Sequence, residues 1–157
     1  MCGINGFTWC DGALIHRMNH ISRYRGPDDQ GIYVDDQISL GTARLAIMDL
    51  SDNGHQPMSN ENGDLWISYN GEIYNFQEIR SDLFDHTFRS QTDTEVVLHA
   101  YETYGLDCLD RFDGMWGFAL YDKGKGELIL CRDRFGIKPL YYCFHDHGLI
   151  FSSMIGA

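Results

Sequence analysis

No stretch of this sequence comes near the roughly 20 consecutive apolar residues that a bilayer-spanning helix requires, so no membrane partner is expected. The opening residues also lack the basic and apolar segments of a secretory leader. Positive charge is scarce: 12 Lys and Arg stand against 23 Asp and Glu, for a net charge of −11. A surface that acidic repels phosphate backbones, which argues against nucleic acid as a partner. Cysteine is sparse and scattered. The five (Cys2, Cys10, Cys108, Cys131, Cys143) are odd in number and form no CxxC or Cys/His cluster. Neither a disulfide framework nor a metal site is therefore expected, and a reducing, cytoplasmic setting is. Neither GxGxxG nor a Walker A loop occurs, so nucleotide chemistry is expected on another chain or domain.

What is present reads as one globular domain. Leu14, Met18 and Ile21 recur at helical spacing and predict a helix that stops near Arg25-Gly26-Pro27-Asp28. Residues 31–34 and 38–48 read as strands, 52–64 as a polar loop, and 65–74 as a strand running into an Asn-Gly turn. Asn75 with Glu78 and Thr92 with Glu95 are spaced as capping boxes opening two helices, the second ending at Gly105. From residue 115 onward two hairpins follow, with turns at Lys123–Gly126 and His145–Gly148. The two histidines of that last turn read as exposed loop residues, not metal ligands. Strands and helices fall in blocks, which predicts an α+β layered domain.

Four features bear on chemistry. Cys2 follows the initiator methionine in MCGINGF. With Met1 removed, its thiol would sit beside a free α-amine whose pKa, about 7.7–8.0, suits proton transfer. Asn70-Gly71 reads equally as a hairpin turn or as an amide and a backbone N–H aimed at one point, the pair of donors an oxyanion hole needs. Arg44, in an apolar strand, needs a partner: either a structural acid such as Asp49 or a substrate carboxylate. Asp93, at a helix start, is either an amide-capping acid or the partner of a substrate ammonium.

Seven blocks in order, MCGI, RGPDDQG, ARLAIMDLSDNGHQPM, YNGEIYNFQEIR, TDTEVVLHAY, LDRFDGMWGFALYD and RDRFGIKPLYY, span the chain. Together they closely resemble the glutaminase (class II glutamine amidotransferase) domain of asparagine synthetase-type enzymes. The resemblance implies a four-layer αββα sandwich of the N-terminal nucleophile hydrolase type, with mostly antiparallel sheets. It implies that Cys2 attacks the side-chain amide of L-glutamine and releases ammonia through a γ-glutamyl thioester, with Asn70 and Gly71 as oxyanion donors. Arg44 would hold the substrate carboxylate, the Leu45, Ala46, Ile47 and Met48 backbone would line the pocket, and Asp93 with Glu72 would meet the α-amino group.

The expectation is a single glutaminase domain over residues 1–157, without a synthetase domain. The usual acid and lysine are missing after Ser153, and no Ser-Gly-Gly-type pyrophosphate loop occurs. ATP and magnesium would belong to a synthetase domain or separate synthetase chain that receives the ammonia. A homodimer is an admissible assembly, and Lys138 is expected to be structural or interface-forming. A non-catalytic glutamine-sensing or docking module, and another cysteine N-terminal hydrolase, stand as alternatives.

Overall fold

The computed structural model describes residues 1–157. Its core is two antiparallel sheets packed face to face. β1 (Gly3–Phe7), β2 (Asp29–Val34), β3 (Ser39–Arg44), β8 (Tyr141–His145) and β9 (Gly148–Ser152) form one, in the order β2-β3-β1-β9-β8. β4 (Met58–Ser59), β5 (Leu65–Ile73), β6 (Gly114–Asp122) and β7 (Glu127–Arg132) form the other, in that order. α1 (Gly12–Ser22) covers the outer face of the first sheet, and α2 (Phe76–Asp82) with α3 (Asp93–Tyr104) covers the second. The result is the four-layer αββα sandwich. No helix is long and apolar enough to cross a membrane.

Strand alternation sorts the residues into three cores. Phe7, Ile15 and Met18 fill the space beneath α1. Ile38, Leu40, Ala119, Tyr121 and Phe151 pack between the sheets. The largest cluster, which includes Ile67, Tyr69, Ile73, Val97 and Trp116, lies beneath α2 and α3. Between the sheets the character changes along the strands. The apolar end gives way to Thr42 and Arg44 on β3 and Ser68 and Asn70 on β5, all buried.

Several local expectations are corrected. The buried face of α1 runs through Ile15, Met18, Asn19 and Ser22, whereas Ile21 is 46% exposed. Polar residues win that face because Asn5 of β1 donates to Asn19 Oδ1 (3.0 Å) and Ser22 Oγ (2.8 Å). The strand expected over 38–48 ends at Arg44. β5 runs straight through Asn70-Gly71, because β6 pairs with every residue from Leu65 to Ile73, so no turn forms there. Asn75 precedes α2 but does not cap it. Its side chain instead bridges Arg111 O (2.9 Å) and Asp113 N (3.0 Å). Thr92 does cap α3, accepting from Glu95 N at 3.3 Å, and Gly105 ends that helix at φ +59° as the turn out of a helix favours. The reciprocal half of the Thr92 box is absent, because Glu95 turns instead to the amides of Arg89 and Ser90.

Candidate active site

Cys2 lies immediately before β1, the central strand of its sheet, and by alternation shares the inward face of Ile4 and Gly6. Its Sγ accepts from Leu45 N–H at 3.4 Å. Burial pushes the Cys2 thiol up, against the opposing pull of that amide. A thiol so placed is neutral at rest and needs a base as it attacks. Arg25 steadies it from the other side, donating from Nε to Cys2 O at 3.2 Å. Asp28 completes the brace: its N–H donates to Arg44 O (3.1 Å), and its carboxylate accepts from Ala46 N (2.8 Å). In the sequence this stretch reads as Gly-Pro punctuation and as part of the RGPDDQG block, with no role assigned to either charge.

Asn70 and Gly71 approach the same cleft from β5. The Asn70 side chain is 2% exposed, and its amide nitrogen Nδ2 is buried without a hydrogen-bond partner. A buried amide donor left unmet costs about 1–3 kcal/mol, so such a group calls for an acceptor. The direction of the Gly71 N–H follows from strand geometry. Tyr69 N donates to Gln56 Oε1 (2.7 Å) and Ile73 N donates to Asp93 Oδ2 (2.9 Å), so both point away from β6. Gly71 lies midway between them, and in a strand the N–H groups of i and i+2 point the same way. Trp116, the partner of Gly71, is consistent with this, since its carbonyl is turned toward Asp133 rather than β5 (2.8 Å). The Gly71 N–H therefore faces the open edge of β5, in the cleft. A side chain at 71 would press on the Tyr69 ring and on Met115 O, both 2.7 Å from its Cβ position.

Charge in the cleft is divided. Arg44 is 6% exposed, and no carboxylate lies within 4.0 Å of it. The salt bridge to the Asp49 carboxylate that the sequence admitted is not formed. The guanidinium donates instead to the backbone carbonyls of Asp49 and Ser51 (3.3 Å to the latter). The Asp49 carboxylate is engaged by the hydroxyl and amide of Ser51 and by Gln91 N, which hold it down to about 2. Arg44 is thus a held, buried cation with no neutralising anion of its own.

Asp93, 4% exposed at the start of α3, accepts from the Tyr69 hydroxyl (2.7 Å) and Ile73 N, both on Oδ2. Burial pushes its carboxyl up, against those two bonds. Glu72 stands beside it on the cleft wall.

The structure brings Cys2, Arg44, Asn70, Gly71, Glu72 and Asp93 to one cleft, with Leu45, Ile47 and Met48 on its wall. Ala46 is the exception and does not line it, its amide being drawn out to Asp28. Residues that the sequence did not assign to the site also line it, among them Gln56, Tyr69 and Lys138. Gln56 ties β5 to α3 through Thr94 Oγ1 (3.2 Å), and Tyr69 holds Asp93. Lys138, expected to be structural, lies on the cleft wall, largely buried and without an acidic partner. Nothing in their local spacing set these three apart. A fixed cation, two carboxylates, an unmet pair of donors and a thiol match a zwitterionic amino acid whose side chain ends in an amide.

The sequence model of the family described as "Glutamine amidotransferase domain" matches residues 1–157. A putative asparagine synthetase [glutamine-hydrolyzing] 2 of Methanocaldococcus jannaschii is 42% identical over 98% of the chain, and 34% of that protein is covered. The asparagine synthetase [glutamine-hydrolyzing] 2 of Bacillus subtilis is 40% identical over 99% of the chain and 22% of its own length. This chain therefore spans about a third or less of these relatives. Among solved structures, a glutamine phosphoribosylpyrophosphate amidotransferase from B. subtilis superposes with a TM-score of 0.75 over 97% of this chain and 42% of its own, at 21% identity. That likeness is one of fold.

Proposed function

The chain belongs to the glutamine amidotransferase family, and from that premise we propose that it hydrolyses L-glutamine to L-glutamate and ammonia at the Cys2 cleft. The observation that carries this reading is the buried, unpartnered Asn70 Nδ2 beside the open Gly71 N–H, on the same cleft as a neutral thiol. Removal of Met1 frees the Cys2 α-amine to act as the base that a raised thiol requires. The amine takes the thiol proton as sulfur attacks the side-chain carbonyl carbon of glutamine. Oxyanion charge develops between Asn70 Nδ2 and Gly71 N, donors that need no reorganisation because nothing else occupies them. The ammonium then returns its proton to the leaving nitrogen, ammonia departs, and a γ-glutamyl thioester remains. Water, deprotonated by the same amine, cleaves the thioester and restores the thiol.

Recognition follows the division of charge. Arg44 meets the α-carboxylate, while Asp93 and Glu72 meet the α-ammonium. Burial of Arg44 and Asp93 makes each contact stronger than it would be in water. The glutaminase half-reaction as written draws on no cofactor. We place ATP and magnesium with a synthetase domain or separate synthetase chain that spends the ammonia on an amidation like that named for the asparagine synthetase relatives. A cytoplasmic setting suits the five free thiols.

The test compares the chain with its Cys2→Ala variant for ammonia release and for glutamine binding by calorimetry. Turnover by the unmodified chain, with binding but no turnover in the variant, is the expected result. Binding without turnover in both would identify a sensing module instead.

A further inference from the structure

On the outer side of α3, away from the cleft, four side chains from three separate segments converge. They are Glu61 from the loop between β4 and β5, His86 from the loop between α2 and α3, and His99 and Glu102 from α3 itself. One ligand atom from each, a ring nitrogen or a carboxylate oxygen, lies within 4.8 Å of the other three. His99 Nδ1 is 3.2 Å from Glu102 Oε2 and 3.6 Å from Glu61 Oε2. His86 Nδ1 is 3.7 Å from Glu102 Oε2 and 3.9 Å from Glu61 Oε1. A tetrahedral ion with bonds of about 2.0–2.1 Å has ligand-to-ligand edges of about 3.3 Å. With Oε2 taken from each glutamate, three of the six edges, at 3.2, 3.6 and 3.7 Å, are thus already close to that length.

The groups behind these ligands are arranged to orient them, as metal sites require. Asn60 Nδ2 donates to Glu102 Oε1 (2.9 Å) and Thr87 N donates to Glu61 Oε1 (3.0 Å), which leaves the Oε2 atoms of both turned to the cluster. His86 Nε2 is joined to Thr103 Oγ1 (2.9 Å), and the Thr103 hydroxyl donates in turn to His99 O (3.0 Å). That leaves His86 Nδ1 free. His99 is 1% exposed, and its Nε2 is buried with no hydrogen-bond partner. The nearest acid to that nitrogen is Glu95 Oε1, at 3.8 Å. An ion on Nδ1 would fix the ring proton on Nε2, facing that carboxylate. One edge of the cluster is open, since Glu61 and Glu102 keep partial exposure.

We propose that Glu61, His86, His99 and Glu102 form a structural site for a divalent first-row metal ion of the zinc class, clamping α3 to the two loops that precede it. Two imidazoles with two carboxylates suit zinc, cobalt or manganese better than magnesium or calcium, which favour all-oxygen sets. The competing occupant is a proton. Burial lowers the affinity of the His99 ring for a proton, but Glu95, Glu102 and Glu61 together more than offset it and hold the ring above its ordinary value. The site is independent of glutamine hydrolysis, since none of its four ligands lines the cleft, although α3 and the loop before it contribute to both.

The experiment titrates Zn²⁺ and Co²⁺ into chelator-treated, desalted chain, reading bound metal by elemental analysis, the cobalt absorption spectrum and the melting temperature. The expected result is one ion per chain, a raised melting temperature, and cobalt d–d bands without a thiolate charge-transfer band. His86→Ala and Glu61→Gln should each weaken binding at least tenfold. Both alter partly exposed side chains, so folding is checked by circular dichroism, with Glu61→Gln the gentler of the two. Cys2→Ala should leave the affinity unchanged. Absence of bound metal, a thiolate-cobalt band as the sole signal, or affinity unchanged in both ligand variants would overturn the proposal in favour of a protonated His99.

Discussion

The Tyr69 hydroxyl donates to Asp93 Oδ2 at 2.7 Å, joining β5 to the start of α3 at the wall of the cleft. Burial pushes the Asp93 carboxyl up, and this bond is one of those that oppose the shift. Asp93 must be ionised to hold an ammonium, so affinity is full above its pKa and lost as pH falls through it. Glutamine binding to the Cys2→Ala chain should therefore weaken on acidification at a higher pH than the ordinary Asp value of about 3.9. In the Tyr69→Phe, Cys2→Ala chain the loss should begin higher still. Calorimetry across the acid range checks both, and identical profiles would remove Asp93 from amino-group recognition.

Gly54 lies against the guanidinium of Arg44, and a Cβ there would overlap it. Gly54→Ala should displace Arg44 from its position over the cleft and raise KM for glutamine about tenfold or more, with a smaller change in kcat. Arg44→Lys should act in the same sense, because an ammonium cannot reproduce the two-pronged grip of a guanidinium on a carboxylate. Steady-state kinetics separate KM from kcat. A fall in kcat alone would place Arg44 outside ground-state binding.

Asn70→Ala removes the unpartnered donor. The expected cost is about 10²–10³ in kcat, the range for one oxyanion donor, with binding to the Cys2→Ala form little altered. A loss confined to KM would mean that Asn70 serves recognition and not the transition state.

Asn5 is the polar pin of β1, donating to Asn19 and Ser22 of α1 and accepting from Ser152 Oγ (2.8 Å) of β9. Asn5→Ala leaves several buried polar groups unmet, so unfolding free energy should drop by about 2–4 kcal/mol. Urea denaturation measures it. Since Cys2 directly precedes β1, activity per folded molecule should fall as well.

These relationships were unevenly legible in the sequence. Most strand positions and the layered class could be read from alternation and turn residues, because burial of one face dictates them. The α1 face was misread because its buried side is half polar, and only the position of Asn5 explains why. The Asn-Gly pair signalled a turn, yet β6 pairs through it, so tertiary pairing overrode local chemistry. Cys2, Arg44 and Asp93 could be singled out as residue types costly or odd in their places. Gln56, Tyr69 and Lys138 could not, since each reaches the cleft only through contacts distant in sequence. The Glu61, His86, His99 and Glu102 cluster was likewise hidden, as only His99 and Glu102 stand at a recognisable helical spacing.

The most direct test of the proposed chemistry is acid-quenched mass spectrometry of the chain during glutamine turnover. The predicted result is an amino-terminal peptide that begins at Cys2, lacks Met1 and carries one γ-glutamyl group on sulfur. Turnover by a chain that retains Met1, or a glutamyl group found on any other residue, would contradict it.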